Sequence, residues 1–158
     1  MRLILALLVS LAALPALAQS GWTYYGNARF GYELAVPPGF EGQGQSGNGD
    51  GQVFTLENRV ARLTVWGGYL VTAPDFEAEA NTRLASDLSG GWGLTAQSTT
   101  PTWASWSATK SGRVLHQHMI QLCDEPSYAA LRLEYAQADR PRLDGFVETL
   151  LASLKPVC

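Results

Sequence analysis

The chain has 158 residues, 46% of them hydrophobic and 16% charged, with a net charge of −3. That is enough apolar material for one domain with its own core. The acidic balance and the lack of any basic run exclude nucleic acid or an anionic lipid surface as the main partner, because both need clustered Lys and Arg.

Arg2 is followed by an apolar run that ends in Ala16-Leu17-Ala18, the small-x-small pattern of a signal-peptidase site. Residues 1–18 read as a signal peptide and 19–158 as a single α+β domain, which gives a periplasmic or secreted protein. The alternative is a membrane anchor, but the run is short for a spanning helix. No span is expected after cleavage. Losing Arg2 leaves ten basic against fourteen acidic side chains, a net charge of −4.

Residues 19–27 read as a segment laid across the domain or a short edge strand. Arg29–Val36 is the first firm strand, with Phe30, Tyr32, Leu34 and Val36 on one face. Pro37-Pro38-Gly39 ends it. Glu41–Gly51, with glycine at every second or third position, reads as a loop. Strands follow at Gln52–Leu56 and Ala61–Trp66, joined through Glu57, Asn58 and Arg59, and Gly67-Gly68 breaks the pattern. Thr72 and Asp75 form a capping box for a helix whose apolar stripe is Phe76, Ala80, Leu84 and Leu88.

Thr95–Thr99 and Thr102–Lys110 read as strands, with Trp103 and Trp106 on opposite faces. Ser111-Gly112 makes a hairpin turn into Arg113–Leu122, where His116 and His118 share a face with Val114 and Ile120. Tyr128–Tyr135 returns with Leu131, Leu133 and Tyr135 on one face. The last element is a helix capped by Asp139, with Leu143, Phe146, Val147, Leu150, Leu151 and Leu154 as its stripe. The strands are expected to form one antiparallel sheet.

Cys123 and Cys158 would pair in an oxidising compartment. The bridge would close a loop of about 35 residues and contribute roughly 3–4 kcal/mol on the chain-entropy estimate. A reactive thiol or metal ligand is the alternative, and no C-x-x-C supports it.

Four chemical readings compete with plain packing. Ser46 to Gly51 followed by Glu57 overlaps a calcium-loop pattern with Asn48, Asp50 and Glu57 as oxygen ligands, but Ser46 stands where the first Asp belongs and the segment after it reads as a strand. His116 and His118 would make half a metal site, with Glu134 as a conceivable third ligand. A hydrolase lacks G-x-S-x-G, and a Cys123 nucleophile conflicts with the disulfide. The aromatic residues, Trp92 in Gly90-Gly91-Trp92-Gly93 above all, could form an exposed platform for a glycan or peptide.

Two segments carry a family likeness. Phe30 to Phe40, Phe-Gly-Tyr-Glu-Leu-Ala-Val-Pro-Pro-Gly-Phe, resembles the opening strand of PsbP-like domains, and Leu150 to Pro156 resembles their closing helix. Asn48 to Phe54 is more similar still to a motif of uncharacterised exported proteobacterial proteins. The likeness implies an antiparallel sheet flanked by helices, a PsbP-like α/β/α sandwich, with protein binding or assembly as its role and no catalytic set to carry over.

The expected function is a non-enzymatic binding or accessory module of the cell envelope that needs no cofactor. Its partner would be another envelope protein or a small ligand, taken at a surface around Asn48, Asp50 and Trp92. The alternative is a hydrolase or metal-dependent enzyme using His116 and His118.

Overall fold

A computed structural model describes residues 21–57 and 60–158. The signal-peptide reading lies outside the described residues, as do Asn58 and Arg59 of one expected turn. The strands are β1 (Thr23–Asn27), β2 (Tyr32–Val36), β3 (Phe40–Gln45), β4 (Gly51–Leu56), β5 (Ala61–Tyr69), β6 (Gly93–Thr99), β7 (Trp103–Lys110), β8 (Arg113–Gln121), β9 (Ser127–Ala136) and β10 (Lys155–Pro156). The helices are α1 (Phe76–Ser89) and α2 (Arg140–Ser153), the second entered through a 3-10 turn at Gln137–Asp139.

Two sheets form where one was expected. Strands β3-β4-β5-β9-β8-β7-β6 make a seven-stranded antiparallel sheet, and β1-β2-β10 make a small one. Each chain-adjacent pair in the large sheet is a hairpin or short connection, and one long pairing, Ala61↔Tyr135 to Tyr69↔Ser127, joins the two halves. The small sheet lies over the large one. Tyr32, Leu34 and Val36 of β2 share a core with Leu63, Leu131 and Leu133 of the large sheet and with Leu143, Val147 and Leu150 of α2. On the opposite face, Phe76, Ala80 and Leu84 of α1 pack with Ala104, Trp106, Leu115, Met119 and Ala130. The result is an α+β sandwich in three layers.

Several boundaries differ from the sequence reading. Residues 46–50 of the expected loop 41–51 form the turn into β4, and 41–45 belong to strand β3, an exposed edge with an irregular register between Gly42 and Gln45. Its glycines and glutamines carry little strand propensity, and pairing with β4 overrides that. Gly67 and Gly68 continue β5 instead of breaking it. A Cβ on Gly67 would lie 2.3 Å from the Phe30 ring, and one on Gly68 would lie 2.4 Å from the Tyr128 hydroxyl. Glycine there admits two aromatic rings against the strand. Phe30 accordingly precedes the ladder of β2. Asp75 alone caps α1, accepting from the Ala78 N–H at 2.8 Å. Asp139 stands at the start of α2 but makes no side-chain cap bond.

A disulfide joins Cys123, just beyond β8, to Cys158, with the Cα atoms 6.0 Å apart. Between them the chain runs through β9, α2 and β10, so the bridge ties the small sheet's last strand back to the large sheet. Leu150 is fully buried in α2, whereas Leu88, last of the α1 stripe, is 42% exposed. Leu150→Ala should therefore destabilise by about 2–5 kcal/mol and Leu88→Ala by less than about 1 kcal/mol in urea unfolding.

Candidate functional site

Asn48 and Asp50 sit in the turn between β3 and β4, and most of their polar atoms are used by the turn itself. Ser46 Oγ donates to Asp50 Oδ1 at 2.6 Å, and Asn48 Nδ2 donates to Oδ2 at 2.8 Å. The Asp50 carbonyl accepts from the Tyr32 hydroxyl at 2.9 Å and from the Gly67 N–H at 2.8 Å. The Arg29 guanidinium donates to the Asn48 carbonyl. Gly51 follows because a Cβ there would lie 1.9 Å from the Val65 carbonyl oxygen. Glu57 stands at the far end of β4 and pairs with Arg142 at 3.0 Å, so strand β4 separates it from Asp50. At about 3.3 Å per residue that strand holds the two carboxylates far beyond a shared cation.

His116 and His118 face the α2 side of the large sheet, opposite Ser107 and Ser105 of β7. Glu134 lies on the other face of β9, since it is Leu133 and Leu131 that pair with the histidines. It cannot join them. His116 belongs to a hydrogen-bonded chain. Its Nδ1 is 2.8 Å from Ser107 Oγ, its Nε2 is 3.0 Å from the Tyr135 hydroxyl, and that hydroxyl donates to Asp144 Oδ1 at 2.6 Å. With the Tyr135 proton given to Asp144, Nε2–H donates to the phenol oxygen and Nδ1 accepts from Ser107. Burial pulls the His116 imidazole below its ordinary value, and the Asp144 charge opposes that shift. His118 is held down to about 4 by burial. Its Nδ1 has no partner among the described residues. No three His, Cys, Asp or Glu side chains among the described residues are grouped as a metal would need.

The α1 side of the sheet carries a different arrangement. Thr64, Arg132, Gln117 and Trp106 fall in one cross-strand row through β5, β9, β8 and β7. Arg132 reaches across to the helix: its Nη1 donates to both Asp87 oxygens at 2.8 and 3.1 Å, and its Nε donates to Glu134 at 2.6 Å. Burial alone would lower the Arg132 value, but the hydrogen bonds and charges of Glu134 and Asp87 outweigh it and raise it. Trp106 Nε1 also donates to Asp87, at 2.8 Å. Arg83 of α1 bonds Glu79 at 2.7 Å and lies over the rings of Trp66 and Tyr128.

Trp66 lines three adjoining depressions on this face. One, of about 340 Å³, includes Arg62, Thr64, Arg132 and Glu134. A second, of about 180 Å³, includes Arg83, Asp87, Gln117 and Arg132, and the third includes Ser46 and Asp50. Of the expected surface residues only Asp50 lines one of these depressions; Asn48 and Trp92 line none of the three. Trp92 is half-buried rather than the exposed member of the set, because it packs on the α1 core and the Arg132 guanidinium covers its ring at 5.6 Å. Trp103, on the opposite face, is the exposed one, at 39%. The strand readings did not single out Arg62, Arg83, Asp87, Gln117 or Arg132. The available signal was Arg132 and Glu134 alternating with Leu131 and Leu133, which reads equally well as a solvated face.

No protein-family model and no curated protein matches the sequence. Solved structures do match the fold. Cyanobacterial PsbP (CyanoP) from Synechocystis aligns with a TM-score of 0.63 and 15% identity, covering 92% of this chain and 98% of that one. The Ran-binding protein Mog1p from Saccharomyces cerevisiae aligns with the same TM-score and 9% identity, covering 86% and 95%. At these identities the likeness establishes a PsbP/Mog1-like fold and nothing about the site.

The histidine environment predicts a pH dependence. His118 binds its proton at about 4 in the folded protein against 6.5 ordinarily, so between these values the unfolded chain takes up a proton that the folded chain does not. Stability is complete above about pH 6.5 and should fall toward pH 4, by up to about 3 kcal/mol from this residue. His116 acts in the same direction. Urea unfolding across that window should show a smaller loss for His118→Gln than for the wild type.

Proposed function

We propose that the protein is an exported, non-enzymatic binding or accessory module of the cell envelope, and that it takes its partner in the groove centred on Trp66 and Arg132. The observation that carries this reading is three adjoining depressions around one tryptophan, on a sheet half that α1 leaves open. Arginine and tryptophan are the side chains most often found to anchor partners. The Cys123–Cys158 disulfide supports an oxidising compartment. One structural neighbour is itself a Ran-binding protein, which supports a binding role for the fold by analogy only.

A second reading uses the Ser107–His116–Tyr135–Asp144 chain, whose proton direction is that of a nucleophile paired with a base. It is weaker because Ser107 lies mid-strand, paired to Ala96 on one side and His116 on the other. The nearby N–H groups are committed to ladders and leave no oxyanion donors. Ser107 should therefore resist a fluorophosphonate probe, read by intact mass, and labelling that is lost in His116→Gln would favour this second reading.

The groove reading is tested by titrating the isotope-labelled protein with fractionated envelope extract. Amides of Thr64, Trp66 and Arg132 should shift while those of Ser107 and His116 stay still. Thr64→Arg, which fills the groove without touching the core, should weaken the interaction about tenfold, a loss of roughly 1.4 kcal/mol. Shifts confined to the opposite face would overturn the assignment.

A further inference from the structure

Resting on that groove reading, we propose that the inner part of the groove, between α1 and the row Thr64–Arg132–Gln117–Trp106, binds the carboxylate of a small organic acid or of a peptide chain end. The cleft holds about 180 Å³ and is walled by Trp66, Arg83, Ser86, Asp87, Trp106, Gln117 and Arg132. At the liquid share of about 30 Å³ per molecule, that is room for about six waters or a compact organic acid.

Gln117 is the decisive residue. Its side chain is only 2% exposed, and its Nε2 has no hydrogen-bond partner among the described residues. A buried amide donor left unpaired is costly, and buried polar groups in folded proteins are nearly always bonded. The acceptors nearby are already engaged: Asp87 takes Arg132 on both oxygens and Trp106 on one. The remaining capacity is mostly of donors, beside the Gln117 Oε1 and the Ser86 hydroxyl. Arg132 Nη2 and Arg83 Nη1 bond nothing among the described residues, although both guanidiniums are fixed, through Glu134 and Asp87 in one case and Glu79 in the other. A cleft whose spare capacity is mostly charged and amide donors favours an acceptor.

Charge narrows the class further. Of the charged side chains that line the cleft, Arg83 and Arg132 outnumber Asp87 by one. One surplus positive charge, in a chain whose net charge is −3, suits a monoanion better than a phosphate dianion. Two planar guanidinium forks and a planar amide match a planar carboxylate. The rings of Trp66 and Trp106 offer apolar wall for the rest of the ligand.

The test titrates the whole labelled protein with phenylacetate, its neutral twin phenylacetamide, inorganic phosphate, and a tripeptide ending in phenylalanine with its chain end either free or amidated. Phenylacetate or the free-ended tripeptide should shift the Gln117 side-chain amide and the Trp66 and Trp106 indole signals, and whichever binds tighter identifies the source of the carboxylate. Gln117→Leu should weaken that binding about tenfold or more, the loss of one hydrogen bond to a charged group. Arg83→Gln, at a part-exposed position, should give a similar loss and serves if Gln117→Leu does not fold. Binding of phenylacetamide or of phosphate as tight as that of phenylacetate overturns the assignment, and so does the absence of any shift at Gln117 at millimolar probe. The extract titration with Thr64→Arg reads partner binding, so it can succeed where the carboxylate test fails.

Discussion

Two short helices cannot cover a seven-stranded sheet. Six strand spacings of about 4.8 Å make the sheet roughly 29 Å across. A 14-residue helix is about 21 Å long and about 10 Å wide. Helix α1 therefore covers only the part of one face from β6 to β9. Helix α2 needs the small sheet beside it to seal the β3–β4–β5–β9 part of the other. Strand β9 is the one both coverings share. Its residues from Ser127 to Leu131 are buried without interruption, and the alternation returns only from Arg132 onward. A strand covered on both faces reads as a continuous apolar run, which is how Ala129 to Leu131 appears.

That diagonal covering leaves two open half-faces, and the sequence fills them differently. On the α2 side, the half under β7 and β8 carries serine hydroxyls and the two histidines; His116 is satisfied through the chain from Ser107 to Asp144, while His118 Nδ1 has no partner among the described residues. On the α1 side, the open half under β5 and β9 carries arginines, whose long stems lie along tryptophan rings while their heads reach carboxylates. Arg132 is the joint between helix and sheet there. A guanidinium that is half-buried must be paired to be tolerated, and it meets Asp87 from α1 and Glu134 from its own strand. The same pairing holds α1 at a fixed distance from the sheet and so keeps the groove open.

The local part of this structure was legible from sequence. Period-2 alternation located β4, β5, β7, β8 and β9 within a residue or so at most ends, and the 3.6 period located both helices. What stayed hidden depended on partners distant in the chain. Phe40 to Gln45 has no strand composition of its own and becomes one by pairing with β4. Gly67 and Gly68 look like a break until the Phe30 and Tyr128 rings are laid against them. The split into two sheets was hidden for the same reason, because nothing in Tyr32–Val36 distinguishes a strand beside β3 from one lying across the sheet. The candidate site was less legible still. Trp92 and Asp50 were singled out for composition; Asp50 lines one of the depressions around Trp66, Trp92 packs under the Arg132 guanidinium outside them, and the sequence reading left Arg132 unremarked.

The distinction between motif and site follows from the same geometry. The Asn48-Gly49-Asp50-Gly51 motif is consumed by the fold: its carboxylate closes the β3–β4 turn, its carbonyl receives Tyr32 and Gly67, and its last glycine lets β5 approach. A likeness carried by such residues transmits architecture, because a turn and a strand entry are what they encode. The groove is assembled across four strands and a helix, from Thr64, Arg83, Asp87, Trp106, Gln117 and Arg132, whose order along the chain bears no relation to their order in space. No short motif can span that set. Proteins sharing this fold can therefore keep the turn and the closing helix while changing every side chain that meets a partner, and a PsbP/Mog1-like architecture constrains the groove's outline while leaving its chemistry to these residues.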